Sequence, residues 1–339
     1  TSPLFNGFDG LDIVEIEPFR NTKLDDGTGP MDNYAANSVR RAIDTVADPE
    51  FVEMNLLTMP GLTNASLTDH MIQVCEDRGD SLALIDIPDV YTPFTEGTSE
   101  YSSFTDRLGS VSSAVSNLEN RQINSSYACT YYPWVQVRDT ISGPLLWVPP
   151  SVVALGTFAS SEAKSELWFA PAGFNRGGLS EGSAGLPVLA VTERVISKDR
   201  DTLYEANINP IASFPNEGIV IFGQKTLQIT PSALDRINVR RMMIFVKKQV
   251  STAANTILFD QNVEVTWNRF KSRIDPILRG VQNRLGISEY KLILDSSTTT
   301  PDLVDRNIVY AKIFIKPAKA IEYIAIDFVL TDSGAAFGD

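Results

Sequence analysis

The most direct chemical pattern in this 339-residue chain is Gly178-Leu-Ser-Glu-Gly182, which has the G-x-S-x-G spacing of a serine nucleophile. That chemistry needs a strand to deliver the serine and a helix to carry the chain away, so that a strained elbow lifts the hydroxyl toward a base. Ser180 is the nucleophile this spacing offers, and His70, the only histidine in the chain, is the only histidine base. The surrounding residues 170–187 are rich in Gly, Pro and Ser and have no regular periodicity. The expectation is therefore a loop serine and a helix-surface histidine, with a serine hydrolase kept as the alternative. Arg78-Gly-Asp80 spells the integrin tripeptide, but its place at a helix end makes Gly79 a C-terminal cap and Asp80 a turn residue. Asp25-Asp26, and Asp9 with Asp12, lack the acidic spacing and closing Glu of a calcium loop. HExxH, a Walker loop and a G-x-G-x-x-G following a strand are all missing. No catalytic residue, cofactor or metal is expected.

The elements that would have to position any site form a mixed α/β chain, 43% apolar and long enough for two or three domains. Residues 51–59 predict a strand running into Pro60-Gly61, residues 68–78 a helix closed by Gly79, and residues 81–87 a β-type apolar run ended by Pro88. Strand, helix, strand at this spacing predicts an α/β layer with a parallel sheet. A short strand at 11–16, helices over 34–47, 104–120, 152–160 and 197–206, and a strand over 127–137 complete this part, with long loops at 92–103 and 170–187. Residues 207–215 read as a turn-rich linker, which places the domain boundary there: 1–215, then 216–339.

The second part predicts a strand over 218–223 and helices over 231–252 and 263–285. In the last of these, Trp267, Phe270, Ile274, Ile277, Leu278, Val281 and Leu285 form one apolar stripe, and Pro276 should kink it. Strands over 290–295, 308–315 and 321–330 give an antiparallel α+β layer. In the last strand Ile324, Ile326, Phe328 and Leu330 share a face by the period of two, while Glu322 and Asp327 argue against deep burial. Such a strand, beside the acidic, Gly-rich residues 332–339, can pair at home or with another copy.

Composition excludes several classes. No apolar run approaches the roughly 20 residues of a membrane span, and no signal peptide opens the chain. Thr1 stands where a Met would, so a processed or proteolytic fragment is expected. Cys75 and Cys129 read as small buried apolar residues in a protein made in a reducing compartment. The net charge of −13 is unevenly placed: −14 over residues 1–150 and +1 over 151–339, which argues against nucleic-acid binding. Between residues 235 and 284 ten basic residues face four acidic ones; Arg240, Arg241, Lys247, Lys248, Arg269 and Lys271 outline either a solvated pair of helices or a face that docks an acidic partner.

The motifs along the whole chain resemble contractile phage tail sheath proteins of large myoviruses. They include Asn6-Gly-Phe-Asp-Gly10, Ile85-Asp-Ile-Pro88 after Arg78-Gly-Asp80, Tyr132-Pro-Trp-Val-Gln-Val-Arg-Asp139, Val148-Pro-Pro-Ser151 and Leu167-Trp-Phe-Ala-Pro-Ala-Gly173. Ile208-Asn-Pro-Ile211, Gly218-Ile-Val-Ile-Phe-Gly-Gln-Lys-Thr226 and Ile237-Asn-Val-Arg-Arg241 continue the series; Val153-Ala-Leu-Gly156 departs from it, its Gly falling later than the family pattern places it. The resemblance implies a central α/β sheath domain followed by a C-terminal α+β domain whose arm, about 318–339, adds a strand to a neighbour. It further implies hexameric rings stacked helically around an inner tail tube, with a baseplate and tail terminator as further partners, and no membrane insertion. The protein would be made in the cytoplasm of the infected bacterium and reside in the virion tail. An adhesin or capsid component of the same virus is the other alternative. On this reading the basic helices face the tube.

Overall fold

The computed structural model describes residues 21–24, 33–87, 110–138, 143, 145–180, 182 and 184–322. The expectations at 11–16 and 92–103, the acidic pairs near the start, and the face made by Ile324, Ile326, Phe328 and Leu330 lie outside the described residues.

A short helix, Asn21–Leu24 (α1), precedes Tyr34–Asp44 (α2), which the Asn33 side chain caps by accepting the Ala36 amide. Strand Leu56–Thr58 (β1) leads to Ala65–Arg78 (α3), capped by the Asn64 side chain and closed by Gly79 at φ 68°, the left-handed region glycine occupies freely. Leu82–Ile85 (β2), Val111–Arg121 (α4) and Ala128–Tyr132 (β3) follow. Val135–Arg138 (β4), Leu145–Val148 (β5), Pro150–Lys164 (α5), Val188–Val191 (β6) and Ser197–Glu205 (α6) come next, then Asn209–Phe214 (β7) and Gly218–Ile221 (β8). A 3₁₀ turn at Ala233–Asp235 opens the last part, which holds Ile237–Asn255 (α7), Glu264–Asn283 (α8), Ile287–Ile293 (β9), Pro301–Asp305 (α9) and Lys312–Pro317 (β10).

Five strands form one sheet in the order β1-β2-β3-β7-β8, parallel except for the β7–β8 pair. Side chains alternate between two cores: Leu82, Leu84, Cys129 and Tyr131 pack with Val153 and Phe158 of α5, whereas Ala83, Ile85, Ala128 and Tyr132 pack with α3, α4 and α6. Helices therefore cover both faces, as a parallel sheet requires. The single strand expected over 127–137 is two strands in two sheets: after the cis Tyr132–Pro133 bond, β4 becomes the centre of an antiparallel sheet β5-β4-β6.

The linker expected at 207–215 is β7, near the middle of the main sheet. Asn209 explains the difference: it is fully buried, its Nδ2 donates to the Thr130 and Lys225 carbonyls (3.0 and 2.8 Å), and its Oδ1 accepts the Lys225 amide. A turn-forming side chain here does ladder work between strands. Helix α7 then serves two cores, giving Ile237 and Ile244 to the sheet and Val239, Met242 and Val246 to a third core built with α8, β9 and β10.

Cys75 and Cys129 are buried free thiols, and burial pushes them up to about 11 and about 12. Asp86, at the end of β2, is also wholly buried; its carboxylate accepts the Gly61 amide (2.9 Å) and both the amide and hydroxyl of Ser151 (3.2 and 2.7 Å), pinning the start of α5 to the turn after β1. Burial outweighs these donors and raises its pKa to about 6. A raised carboxyl pKa means that the folded state takes up the proton first, so Asp86 favours folding more as pH falls below about 6 and less above it. The stability difference between wild type and Asp86→Asn should grow by about 1 kcal/mol in favour of wild type from pH 7 to pH 5. Urea titrations at both pH values measure it, and a pH-independent difference would contradict this account.

Candidate assembly surfaces

Ser180 and His70 belong to different parts of the structure. The Ser180 hydroxyl accepts the Ile219 amide at 2.8 Å, tying its loop to β8, while His70 on α3 contacts Asp44 of α2 at 2.6 Å. Gly178 makes an isolated bridge to Val220, and Gly182 and Ala184 are turn residues, so the strand–serine–helix elbow is missing among the described residues. Arg78 has a side chain of 0% exposure. It grips Asp80 with two bonds (2.8 and 2.9 Å) and donates to the Val46 and Val52 carbonyls, so the tripeptide is an internal staple. No cluster of three or more metal-ligating side chains and no helix long and apolar enough to cross a membrane occurs among the described residues.

The basic segment divides. Arg240 and Arg241, expected on the outer face, are 5% and 3% exposed. Arg240 stacks over Tyr127 (4.0 Å) and bonds to Ser126; Arg241 stacks over Phe158 (5.0 Å) and pairs with Glu162 at 2.9 Å. These cations sit where α7 crosses the main sheet, so they are structural and unavailable to a partner. Lys248 pairs with Glu53 (2.6 Å) and Lys247 reaches Tyr127 (3.2 Å), fastening α7 to the first half of the chain. Arg269 and Arg279 on α8 remain largely solvated, in surface pairs with Asp260 and Asp275, and Lys271 is half-buried between them.

Strands β9 and β10 make a two-stranded antiparallel sheet, with Ile313, Ile315, Tyr290 and Leu292 turned onto the α7–α8 core. On the other face Lys312, Phe314 and Lys316 lie exposed across from Lys291 and Glu289. Among the described residues neither strand has a further neighbour, and a lone hairpin sheet gains from additional strands. Beyond β10 the chain runs to Glu322, which Arg236 clamps with two charge-assisted bonds (2.6 and 2.9 Å) and Gln224 supports at 3.2 Å. Sequence reasoning counted Arg236 among a basic patch; only its partner 86 residues away reveals its role.

The fold defines a class. It is similar to the contracted sheath of the extracellular contractile injection system PVC (TM-score 0.68, 20% identity, 86% of this chain and 75% of that one). The contracted helical sheath of the anti-feeding prophage is also similar (TM-score 0.63, 21% identity, 89% and 76%). Sequence narrows the class: residues 230–331 match the phage tail sheath C-terminal domain. The tail sheath protein of Enterobacteria phage T4 is 30% identical over 325 residues, covering 93% of this chain and 48% of that protein. That of Vibrio phage KVP40 is 36% identical over 222 residues, covering 66% and 32%. The chain belongs to the tail sheath proteins of contractile-tailed phages, and it spans a third to a half of the length of these relatives.

Proposed function

We propose that the chain is the core of a structural sheath subunit that polymerises as stacked hexameric rings around an inner tail tube in the virion. Contraction of that lattice drives the tube through the host envelope, with the baseplate and tail terminator bounding the sheath at its two ends. The observation that carries this reading is the two-stranded sheet β9–β10, which ends in an anchored exit at Glu322. Strand addition from neighbours completes such a sheet and joins copies through backbone hydrogen bonds, while the Arg236–Glu322 clamp keeps tension on the arm from unravelling β10.

Contraction exchanges one set of subunit contacts for another, and a gain of a few kcal/mol per subunit becomes large over many copies. Surface charge pairs on α8 suit a tube-facing role, since each is weak and salt-sensitive and so releases readily. Deleting residues 323–339 from the full-length subunit should abolish tubes of stacked rings in electron micrographs while leaving the thermal transition of the soluble subunit intact. Normal tubes from the deletion would overturn strand addition at this end.

A further inference from the structure

We infer that the cleft between α6, residues 168–176 and residues 318–322 binds a small molecule, a nucleoside diphosphate whose base carries an amino group. The site lies within one chain and does not depend on assembly. Its volume is about 850 Å³, within the roughly 300–1,000 Å³ of small-molecule sites. One face of α6 forms a wall, since Ser197, Arg200, Asp201 and Tyr204 recur at three- and four-residue spacing. At the Ser197 end Ile196 caps the helix without a side-chain acceptor, which leaves first-turn amides free at the positive end of the helix dipole. Asp199, two residues after Ser197, falls off this face. Arg176, Arg200 and Lys319 line the same cleft, and none is in an ion pair among the described residues. Arg200 lies over the Phe214 and Phe222 rings (5.1 and 5.8 Å). Arg176 lies over Phe169 (5.2 Å), and its Nε donates to the Ala170 carbonyl at 2.9 Å. Two guanidinium groups so held, beside helix amides, suit a phosphate group.

The Tyr204 end asks for hydrogen-bond donors. Lys225 and Arg236 lie over the Tyr204 ring (4.4 and 5.9 Å), and their neighbours in sequence, Gln224 and Asn238, line the cleft. Gln224 and Asn238 are 4% and 5% exposed, and Gln224 Oε1 and Asn238 Oδ1 have no partner among the described residues. Glu322 fixes the Gln224 amide: a carboxylate only accepts, so Nε2 faces it at 3.2 Å and Oε1 is the unmet acceptor. Buried acceptors left unpaired are costly, and an amino group on a ring answers them. Phe222, two residues before Gln224 and 41% exposed, offers ring surface to a flat base. Between the two ends stands Asp201, a carboxylate that repels further anions but accepts from ribose hydroxyls. Ser197 and Tyr204 are about 10 Å apart along the helix, the reach of a nucleotide from base to diphosphate. The order of cations, carboxylate and unmet acceptors selects a nucleotide over an acidic peptide, whose side chains Asp201 would repel.

The test titrates ADP, GDP, UDP, inorganic pyrophosphate and a glutamate-rich peptide into the soluble full-length subunit by calorimetry. ADP or GDP should bind with a Kd below about 0.1 mM, and UDP, whose base has no amino group, and pyrophosphate about tenfold more weakly. Arg200→Glu and, separately, Lys319→Glu should each weaken nucleotide and pyrophosphate alike by about tenfold. Gln224→Leu should weaken the nucleotide and leave pyrophosphate unchanged, a split that general loosening of the fold would not give. Lys319 is exposed, so its variant keeps the fold, and unchanged binding there overturns the inference. So does the lack of ADP or GDP binding at about 1 mM, since that affinity is weaker than a built site gives. UDP or pyrophosphate binding as tightly as the better purine nucleotide, the peptide binding in its place, or a missing Gln224→Leu split overturns it as well.

Discussion

Gly156→Ala should destabilise the subunit by about 2 kcal/mol, although the same change in an exposed helix interior stabilises by up to about 1 kcal/mol. Gly156 lies in α5, and a Cβ built on it would fall 2.7 Å from the carbonyl carbon of Ala184 and closer still to its oxygen. The obstacle is backbone, which has no rotamer to change, and Ala184 itself packs against the core that α5 forms with the main sheet. Gly280→Ala provides the contrast, because its Cβ would meet only the tip of Arg284 at 3.9 Å; α8 should gain about 0.5–1 kcal/mol. Paired urea denaturation of the two variants measures both signs. Equal shifts would show that the segment around Ala184 yields freely and does not lock α5.

Glu162→Gln should cost about 2 kcal/mol, and Arg241→Met in the Glu162→Gln background should recover most of it. Burial already pulls the Arg241 pKa below its ordinary value, with Glu162 the main opposing influence. Among the described residues its Nη1 has no hydrogen-bond partner, so the pair with Glu162 is what offsets the desolvation of the guanidinium. The Glu162 side chain is 49% exposed, and solvent screening keeps the loss below the 3–5 kcal/mol of a fully buried broken pair. A methionine fills similar volume over the Phe158 ring without a charge to solvate. A double-mutant cycle reads the coupling directly; additive effects would mean that Arg241 is held by packing alone.

Local signals made much of this fold legible. Gly79 closes α3 at Arg78 as expected, whereas the helix begins at Ala65, ahead of the expected residue 68, behind the Asn64 cap. The apolar stripe of α8 likewise buries Trp267, Phe270, Ile274, Leu278 and Val281. What escaped was long-range. Residues 127–137 alternate like one strand on both sides of Pro133, so nothing local says that the two halves join different sheets. Residues 207–215 carry the composition of a turn because Asn209 and Pro210 sit where β7 meets β3 over only two residue pairs. Proline offers no amide to extend that ladder. The buried arginines of α7 looked like surface charge because the rings they cover, Tyr127 and Phe158, are distant in sequence. The charge count located a basic segment but could not sort interior cations from exterior ones.

The direct passage from β3 to β4 bears on how the molecule carries load. One backbone segment is at once an inner strand of the parallel sheet and the centre strand of the antiparallel one. A pull on either sheet is transmitted to the other through covalent bonds, with no loop between them to stretch. Loaded along its length, β3 shears against β2 and β7 together, a stiff geometry in which several hydrogen bonds must break at once rather than peel singly. The two sheets are thus coupled as one lever arm, and yielding under force is directed to the connections outside this segment.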